Sequence, residues 1–558
     1  MYTYLDDTRM EGFMMGKSMK IKTVFLIQVL FFFSLPSINC TVIKNTPPDY
    51  IFLITLDTTR ADHIDYSLKE NTLTPHLAEL ASEGSYFSNA YSLIPITLPS
   101  HLSMFYSLPP HILKVYNNGE QNLCPLPSLE KILKDNGYAT GAVISLGSVS
   151  HRWGIGKDFD FFIENFRKSY IWYKTAEQVN EDAFALIKEF EKKKSYFWIH
   201  YSDPHEPYFP PDYKGNFLVS LNGEKKFIAE SIERVLVKLE LSLKPGKNIL
   251  TLETEIPEMI KKDKRLKIAY HEFIDFSIIP EHETKDLEII YPDEWKKSVF
   301  GKRIKFTTKR PHSVIELQNK SDQNMKVNLK FINRMIPTVS TMKLLYGQEV
   351  SYMDKHLGKL IDYLKKNKMY QNSAFVIVGD HGEGLGEYRG HKGHIDYLNK
   401  IYVKVPLIIC GRNIKKSRVK KRVVSCLDIA PTILDIAHIK KPEFMQGNSL
   451  LRSLKKEKLL LETYAPEARG NAFSIIDFPY QIIIYPYRDK GKVELIDLEK
   501  DDQGLQNIIN SPDVESELKA GLLRMVQEKA EELANQREKK PKLSEVAEEI
   551  LKSLGYIK

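Results

Sequence analysis

The chain has 558 residues, too many for one ordinary core, and its 42% hydrophobic and 27% charged residues describe a globular protein of one large unit with smaller additions. Lys and Arg number 80 against 72 Asp and Glu, a net charge of +8. That excess is interspersed with acidic residues and forms no basic stripe interleaved with aromatics, which excludes nucleic acid as the expected partner.

In chain order, Lys17, Lys20 and Lys22 precede an apolar stretch at 23–35, followed by Pro36-Ser37-Ile38-Asn39-Cys40. A charged region, an apolar region and a cleavage site make residues 1–40 an export signal, with Met19 as an alternative start. The apolar part is too short for a comfortable membrane span. Ser37-Ile38-Asn39-Cys40 also fits a loose lipobox, which would leave Cys40 lipidated; ordinary cleavage would leave the protein unanchored. With a bacterial source assumed, the expected location is the periplasm or a membrane-anchored lipoprotein. Cys124, Cys410 and Cys426 show no ligand spacing and read as buried free thiols.

The run Tyr50–Leu56 is continuously apolar and ends in Asp57; similar runs at 196–201, 374–378 and 405–409 precede Asp203, Gly379-Asp380-His381 and Cys410. Runs buried on both faces are typical of parallel strands in an α/β sheet. Between them, Val350, Met353, Leu357, Leu360, Ile361 and Leu364 fall on one helical face. The basic run at 415–422 reads as a solvated loop. Residues 216–335 change period: Val235, Val237, Leu239 and Leu241 alternate, Pro245-Gly246-Lys247-Asn248 makes a turn, and Val327, Leu329 and Phe331 alternate again. This pattern predicts an inserted β-sandwich-like domain, structural, lid-like or carbohydrate-binding. The expected division is 48–215 and 336–455 for a catalytic domain, 456–510 for a small C-terminal sheet and 511–558 for an amphipathic helical tail.

Ligands of such sheets gather at the carboxyl ends of strands, where Asp57 and Asp380 stand. Two carboxylates and the His381 imidazole form a mixed oxygen and nitrogen set that suits Zn or Mn, with Ca as the remaining candidate. In Thr97-Leu98-Pro99-Ser100-His101, Pro99 suits a first helical position, which puts Thr97 at a helix N-cap region where tetrahedral anions bind. A metal touching the Thr97 hydroxyl would make it a nucleophile; a cap without chemistry is the other reading. His200-Tyr201-Ser202-Asp203-Pro204-His205 carries a loop histidine able to contact an anion or protonate a leaving group, and His391-Lys392-Gly393-His394 lies in a Gly-rich loop near the same strand end.

Five segments in order resemble the sulfatase branch of the alkaline phosphatase superfamily: 56–63, 97–101, 203–208, 379–383 and 405–408. Segments 428–432 and 446–450 are similar to its later core. The resemblance implies a mixed, mostly parallel sheet flanked by helices, one divalent metal on Asp57, Asp380, His381 and Thr97, and anion contacts from His205 and His394. It also implies substrate contacts at the positions of His101, Asp203 and His391. A second metal on His205, His394 or Asp203 is the alternative arrangement. Sulfatases carry Cys or Ser matured to formylglycine in a Cys/Ser-x-Pro-Ser-Arg motif; here Thr97 and His101 take the first and last places. Thr58 stands where many have a second Asp, and His381 where many have Asn. Unmodified threonine is the choice of phosphate-handling relatives. The expected activity is hydrolysis of a sulfate or phosphate ester of a small molecule, glycan or lipid. Transfer of a phosphoryl headgroup to an envelope glycan or lipid, and a non-catalytic binding protein, are the alternatives.

Overall fold

The structure, a computed structural model, describes residues 46–536 apart from 68–71, 167–171, 207, 213–214, 230–233, 257, 301–302, 417, 453–457, 465–469 and 487–490. The export signal, Cys40 and the tail beyond residue 536 lie outside the described residues.

A nine-stranded sheet forms the centre. Its middle is parallel, with Ser373–Gly379, Tyr50–Leu56, Ser195–Tyr201, Ala139–Val143 and Phe161–Ile163 side by side in that order. Successive residues feed opposite layers: Ile51 and Leu53 join one core, Phe52, Ile54 and Leu56 the other. That is why these strands read as unbroken apolar runs. The helix Val339–Lys366 covers the second layer with Val350, Met353, Leu357, Leu360, Ile361 and Leu364, all buried.

Beyond Ser373–Gly379 the direction changes. Pro406 divides the run at 405–409 into Lys404–Val405 and Leu407–Gly411, and the latter is antiparallel to Ser373–Gly379. Ser85–Tyr91, whose serines and asparagine hide it from an apolar count, pairs antiparallel with Leu407–Gly411. The basic run at 415–422 is not a loop: most of it lies in the strand Arg418–Ser425, parallel to Ser85–Tyr91. Lysines suit a marginal strand, because they discourage pairing with another chain.

Between Phe217 and Pro337 the chain forms two five-stranded antiparallel sheets around one shared core that includes Val237, Leu252, Phe276, Trp295 and Phe331. Arg234–Leu243 and Gly246–Thr254 are consecutive but belong to different sheets. The buried Asn248 closes that corner, accepting from the Lys244 N–H at 3.0 Å and donating to the Lys244 carbonyl at 2.8 Å. Near the end, Leu459–Tyr464, Asn471–Asp477, Tyr480–Ile484 and Val493–Asp497 make a four-stranded antiparallel sheet. The helix Ser516–Gln536 lays Leu522, Val526, Ala530 and Leu533 against it. Among the described residues no helix is long and apolar enough to cross a membrane.

Candidate active site

Leu56 lies level with both Gly379 and Tyr201 in the sheet, so Asp57, Asp380 and Ser202 leave it together at the carboxyl edge. Donor atoms of Asp57, Asp380 and His381 all fall within 4.8 Å of one another, and all three residues are buried. Asp380 Oδ1 accepts from the Thr58 N–H at 3.0 Å and the His381 N–H at 2.7 Å. Its Oδ2 and both Asp57 oxygens have no hydrogen-bond partner among the described residues. Buried carboxylates are costly without a counter-charge, and converging unbonded oxygens beside an imidazole fit a divalent cation.

The electrostatics separate the two acids. Burial pushes the Asp57 carboxyl up, but His200 and then His381 and His205 more than reverse it, so it is held well below the usual range. Burial, then the charge of Asp57, pushes Asp380 well above it. A cation between them would hold both in the charged form. Burial, then His394, holds His381 neutral, as a ligand must be.

The helix Thr97–Tyr106 is buried along its whole length. Ile96 takes the cap position, Thr97 is the first helical residue and Pro99 the third, which corrects the expected cap by one to two places. The end offers an anion few donors: the Leu98 N–H is taken by Asn118 Oδ1 at 2.8 Å, Pro99 has none, and the Ser100 N–H bonds to the Ile96 carbonyl at 3.0 Å. Thr97 Oγ1 is 3.3 Å from His381 Nε2, and Ser100 Oγ donates to the Asp380 carbonyl at 2.8 Å, tying the helix to the Asp-His turn. His101 sits 2.8 Å from the Thr97 carbonyl and 3.7 Å from Asp380 Oδ2 through Nδ1. Burial, then His200, lowers its pKa to about 3, so it is neutral.

His381, His394 and His205 form a row, with ring centroids 4.3 Å and 5.6 Å apart. His394 Nδ1 is 3.3 Å from Glu383 Oε2; burial works to lower its pKa and Glu383 raises it on balance. Two further expected residues are engaged by neighbouring groups. Asp203 Oδ1 accepts from the Ala176 N–H at 2.9 Å and the Tyr173 hydroxyl at 3.4 Å, holding the start of the helix Ala176–Glu189, and burial lifts its pKa to about 7. His391 bonds to the Tyr402 hydroxyl at 3.1 Å and Asp396 at 3.0 Å, beside Tyr397.

The structure adds residues that the motifs did not single out. His200 Nε2 stands 3.3 Å from Asp57 Oδ2, while its Nδ1 meets Ser145 Oγ at 2.8 Å. The signal was an imidazole one place from the end of a buried apolar strand. Tyr346, from the helix Val339–Lys366, donates to the Thr58 carbonyl at 2.7 Å and accepts from the Arg60 N–H at 2.9 Å. It fixes the turn after Asp57, where Thr58 is left-handed at φ 53°.

With the geometry in view, sequence comparison places the chain. The family profile described as Sulfatase matches residues 49–439, and one described as N-sulphoglucosamine sulphohydrolase, C-terminal, matches 390–532. A choline-sulfatase of Rhizobium meliloti is 23% identical over 455 residues, 78% of each chain. An N-acetylglucosamine-6-O-sulfatase of Bacteroides thetaiotaomicron is 23% identical over 522 residues, 86% of each. An arylsulfatase of Clostridium perfringens is 27% identical, over only 30% of this chain and 36% of that one. Among solved structures, a phosphonate monoester hydrolase from Silicibacter pomeroyi superposes with a TM-score of 0.55 at 15% identity, covering 88% of this chain and 96% of that one. A protein solved in complex with its substrate D-glucosamine-2-N,6-O-disulfate gives 0.56 at 15% identity, covering 88% and 99%. At such identities the superpositions speak for the fold. Because the Sulfatase profile spans most of the chain and includes Asp57, Thr97, Asp380 and His381, this protein belongs to the sulfatase family.

Proposed function

We propose that the protein hydrolyses sulfate or phosphate esters with Thr97 as nucleophile and a divalent cation on Asp57, Asp380 and His381. The observation that carries this reading is the buried Asp57, Asp380 and His381 cluster with the Thr97 hydroxyl 3.3 Å from His381 Nε2. A cation bound there would lower the pKa of the Thr97 hydroxyl and offset the charge of the ester. The remaining work falls to side chains of the chain itself. Thr97, its proton given up to solvent, forms a bond from Oγ1 to sulfur or phosphorus as the bond to the ester oxygen breaks, and the departing oxygen takes a proton from protonated His205, which solvent reprotonates. Water then displaces Thr97 at the same atom, returning the hydroxyl and releasing sulfate or phosphate. His394, oriented by Glu383 and set between His381 and His205, contacts the anion beside them.

Thr97 cannot be matured to formylglycine, so the second displacement is obligatory in this reading. Relatives that act on choline sulfate and N-acetylglucosamine-6-O-sulfate, together with a phosphonate monoester hydrolase of the same fold, support the ester class. The stretch at 17–40 supports export, which fractionation of the native host tests. The deciding experiment assays the purified chain, with Zn, Mn or Ca added, on aryl sulfate, phosphate monoester, phosphodiester and phosphonate substrates beside Thr97→Ala. Turnover that depends on Thr97 is expected; a Thr97→Ala protein as active as wild type rejects the nucleophile. Product appearing only with an added acceptor alcohol would make the protein a transferase instead.

A further inference from the structure

A cavity of about 270 Å³ lies where the inserted sheets meet the loop that carries His205. The insertion contributes Tyr270, Glu272, Lys305 and Arg334 to its wall, and the catalytic body contributes Glu206 and Lys392. Two of these residues are chain neighbours of the candidate anion contacts. Glu206 follows His205, whose ring Nδ1–H donates to the Glu206 carbonyl at 2.9 Å. Lys392 opens the short strand Lys392–Gly393, immediately before His394. The His205 and His394 rings are themselves 5.6 Å apart, so the cavity borders the place where an ester would react.

Its wall is amphipathic, with Phe209, Met335, Pro337 and Met342 on the apolar side and charged groups on the other. Arg334 pairs with Glu206, and Lys305 with Glu272 at 2.9 Å, giving matched donors and acceptors along the wall. Lys392 is exposed and brings the cations to three against two carboxylates. Tyr270 adds a half-buried aromatic face. The volume sits just below the roughly 300–1,000 Å³ of ordinary small-molecule sites, which suits one ring and not a chain.

We propose that this cavity is a subsite for one pyranose unit carrying an anionic group, the sugar adjoining the ester that Thr97 attacks. The proposal rests on the ester-hydrolase reading and gives the insertion a role in choosing the substrate. Bidentate carboxylate and guanidinium groups take the sugar hydroxyls, Tyr270 stacks on the ring, and Lys392 takes the anion.

The test measures binding to the full-length Thr97→Ala chain by calorimetry. The probes are a 6-O-sulfated N-acetylhexosamine and the disaccharide in which a uronate is joined to it, in gluco and galacto forms. The disaccharide of one series is expected to bind about 10-fold more tightly, the scale of one hydrogen bond to a charged group. In Tyr270→Ala and in Lys392→Ala that ratio should fall towards one, and in Tyr270→Phe it should persist. Equal binding of the two probes in both series, or a ratio unaffected by both alanine variants, overturns the subsite. Wild-type turnover of an aryl ester is measured alongside. Turnover with a ratio of one rejects the subsite alone, whereas a ratio that behaves as expected with no ester turned over rejects the hydrolase reading alone.

Discussion

At the scale of single residues, the cluster at the strand ends depends on groups that never need to touch a ligand. His200 lies against Asp57 Oδ2 and is aimed by Ser145, so it sets the charge and direction of that carboxylate. Replacing it by Gln should weaken metal binding by roughly 10–100-fold, as for other partners of ligating side chains. Titration with Zn or Mn and elemental analysis check this, and unchanged affinity would mean that Asp57 is held by the sheet alone. A different buried acid tests stability. Glu130, near the Tyr106 and Tyr196 rings, has its pKa raised to about 7 by burial. A raised acid favours the folded protein below the unfolded value of 4.5, and that contribution is lost as the pH climbs through about 7. Glu130→Gln should therefore be more stable than wild type at pH 8, by about 3 kcal/mol, with the gain disappearing near pH 4.5. Denaturant unfolding at the two values measures it. Asp57, Thr97, Asp380 and His381 were legible because each ends or begins an element with a strong sequence signal. Asn118 and Tyr346 were not, since they reach the site from 20 or more residues away through folding alone.

At the scale of elements, the Asp-His turn packs directly against the backbone of Ile401 and Tyr402. A Cβ on Gly382 would overlap the Ile401 carbonyl, whereas Gly521 in the helix Ser516–Gln536 has open space around it. Gly382→Ala should cost about 1–3 kcal/mol as an overpacked site and shift Asp380 and His381 enough to weaken metal binding. Gly521→Ala should instead stabilise by about 0.5–1 kcal/mol, the helix preference of Ala over Gly. Melting temperature with and without metal distinguishes the two effects; a Gly382→Ala protein with normal metal affinity would show that the turn yields elsewhere. Three of the five parallel strands at the centre of the sheet, Tyr50–Leu56, Ser195–Tyr201 and Ser373–Gly379, could be read directly from sequence because both their faces are apolar, whereas the similar run at 405–409 is split by Pro406 and runs antiparallel. Ser85–Tyr91 and Arg418–Ser425 could not, because marginal strands keep polar and charged residues that look like loop.

At the scale of the whole molecule, the core of the insertion is separate from the cores that flank the central sheet. The inserted sheets enclose Trp295 with Phe273, Phe276 and Phe331, while Trp198 belongs to the central sheet beside Phe105 and Phe159. Separate cores allow separate cooperative units. Denaturant unfolding followed by fluorescence should show two transitions, one of which loses its signal in Trp295→Phe. A single transition in both proteins would mean that the cores melt together. The alternation of Val235, Val237, Leu239 and Leu241 revealed this separate core, but not that its neighbouring strands split between sheets at Asn248.

The turn held by Tyr346 has one more consequence, which concerns charge. Thr58 lends the centre a backbone N–H to Asp380 where a third carboxylate would add a negative charge. With a dication in place and Thr97 still protonated, Asp57 and Asp380 would bring the sum to zero, since His381 stays neutral. A doubly charged phosphate ester and a singly charged sulfate ester then meet no repulsion from the centre itself. Selection between substrates passes from electrostatics at the reacting atom to the fit of what the ester is attached to.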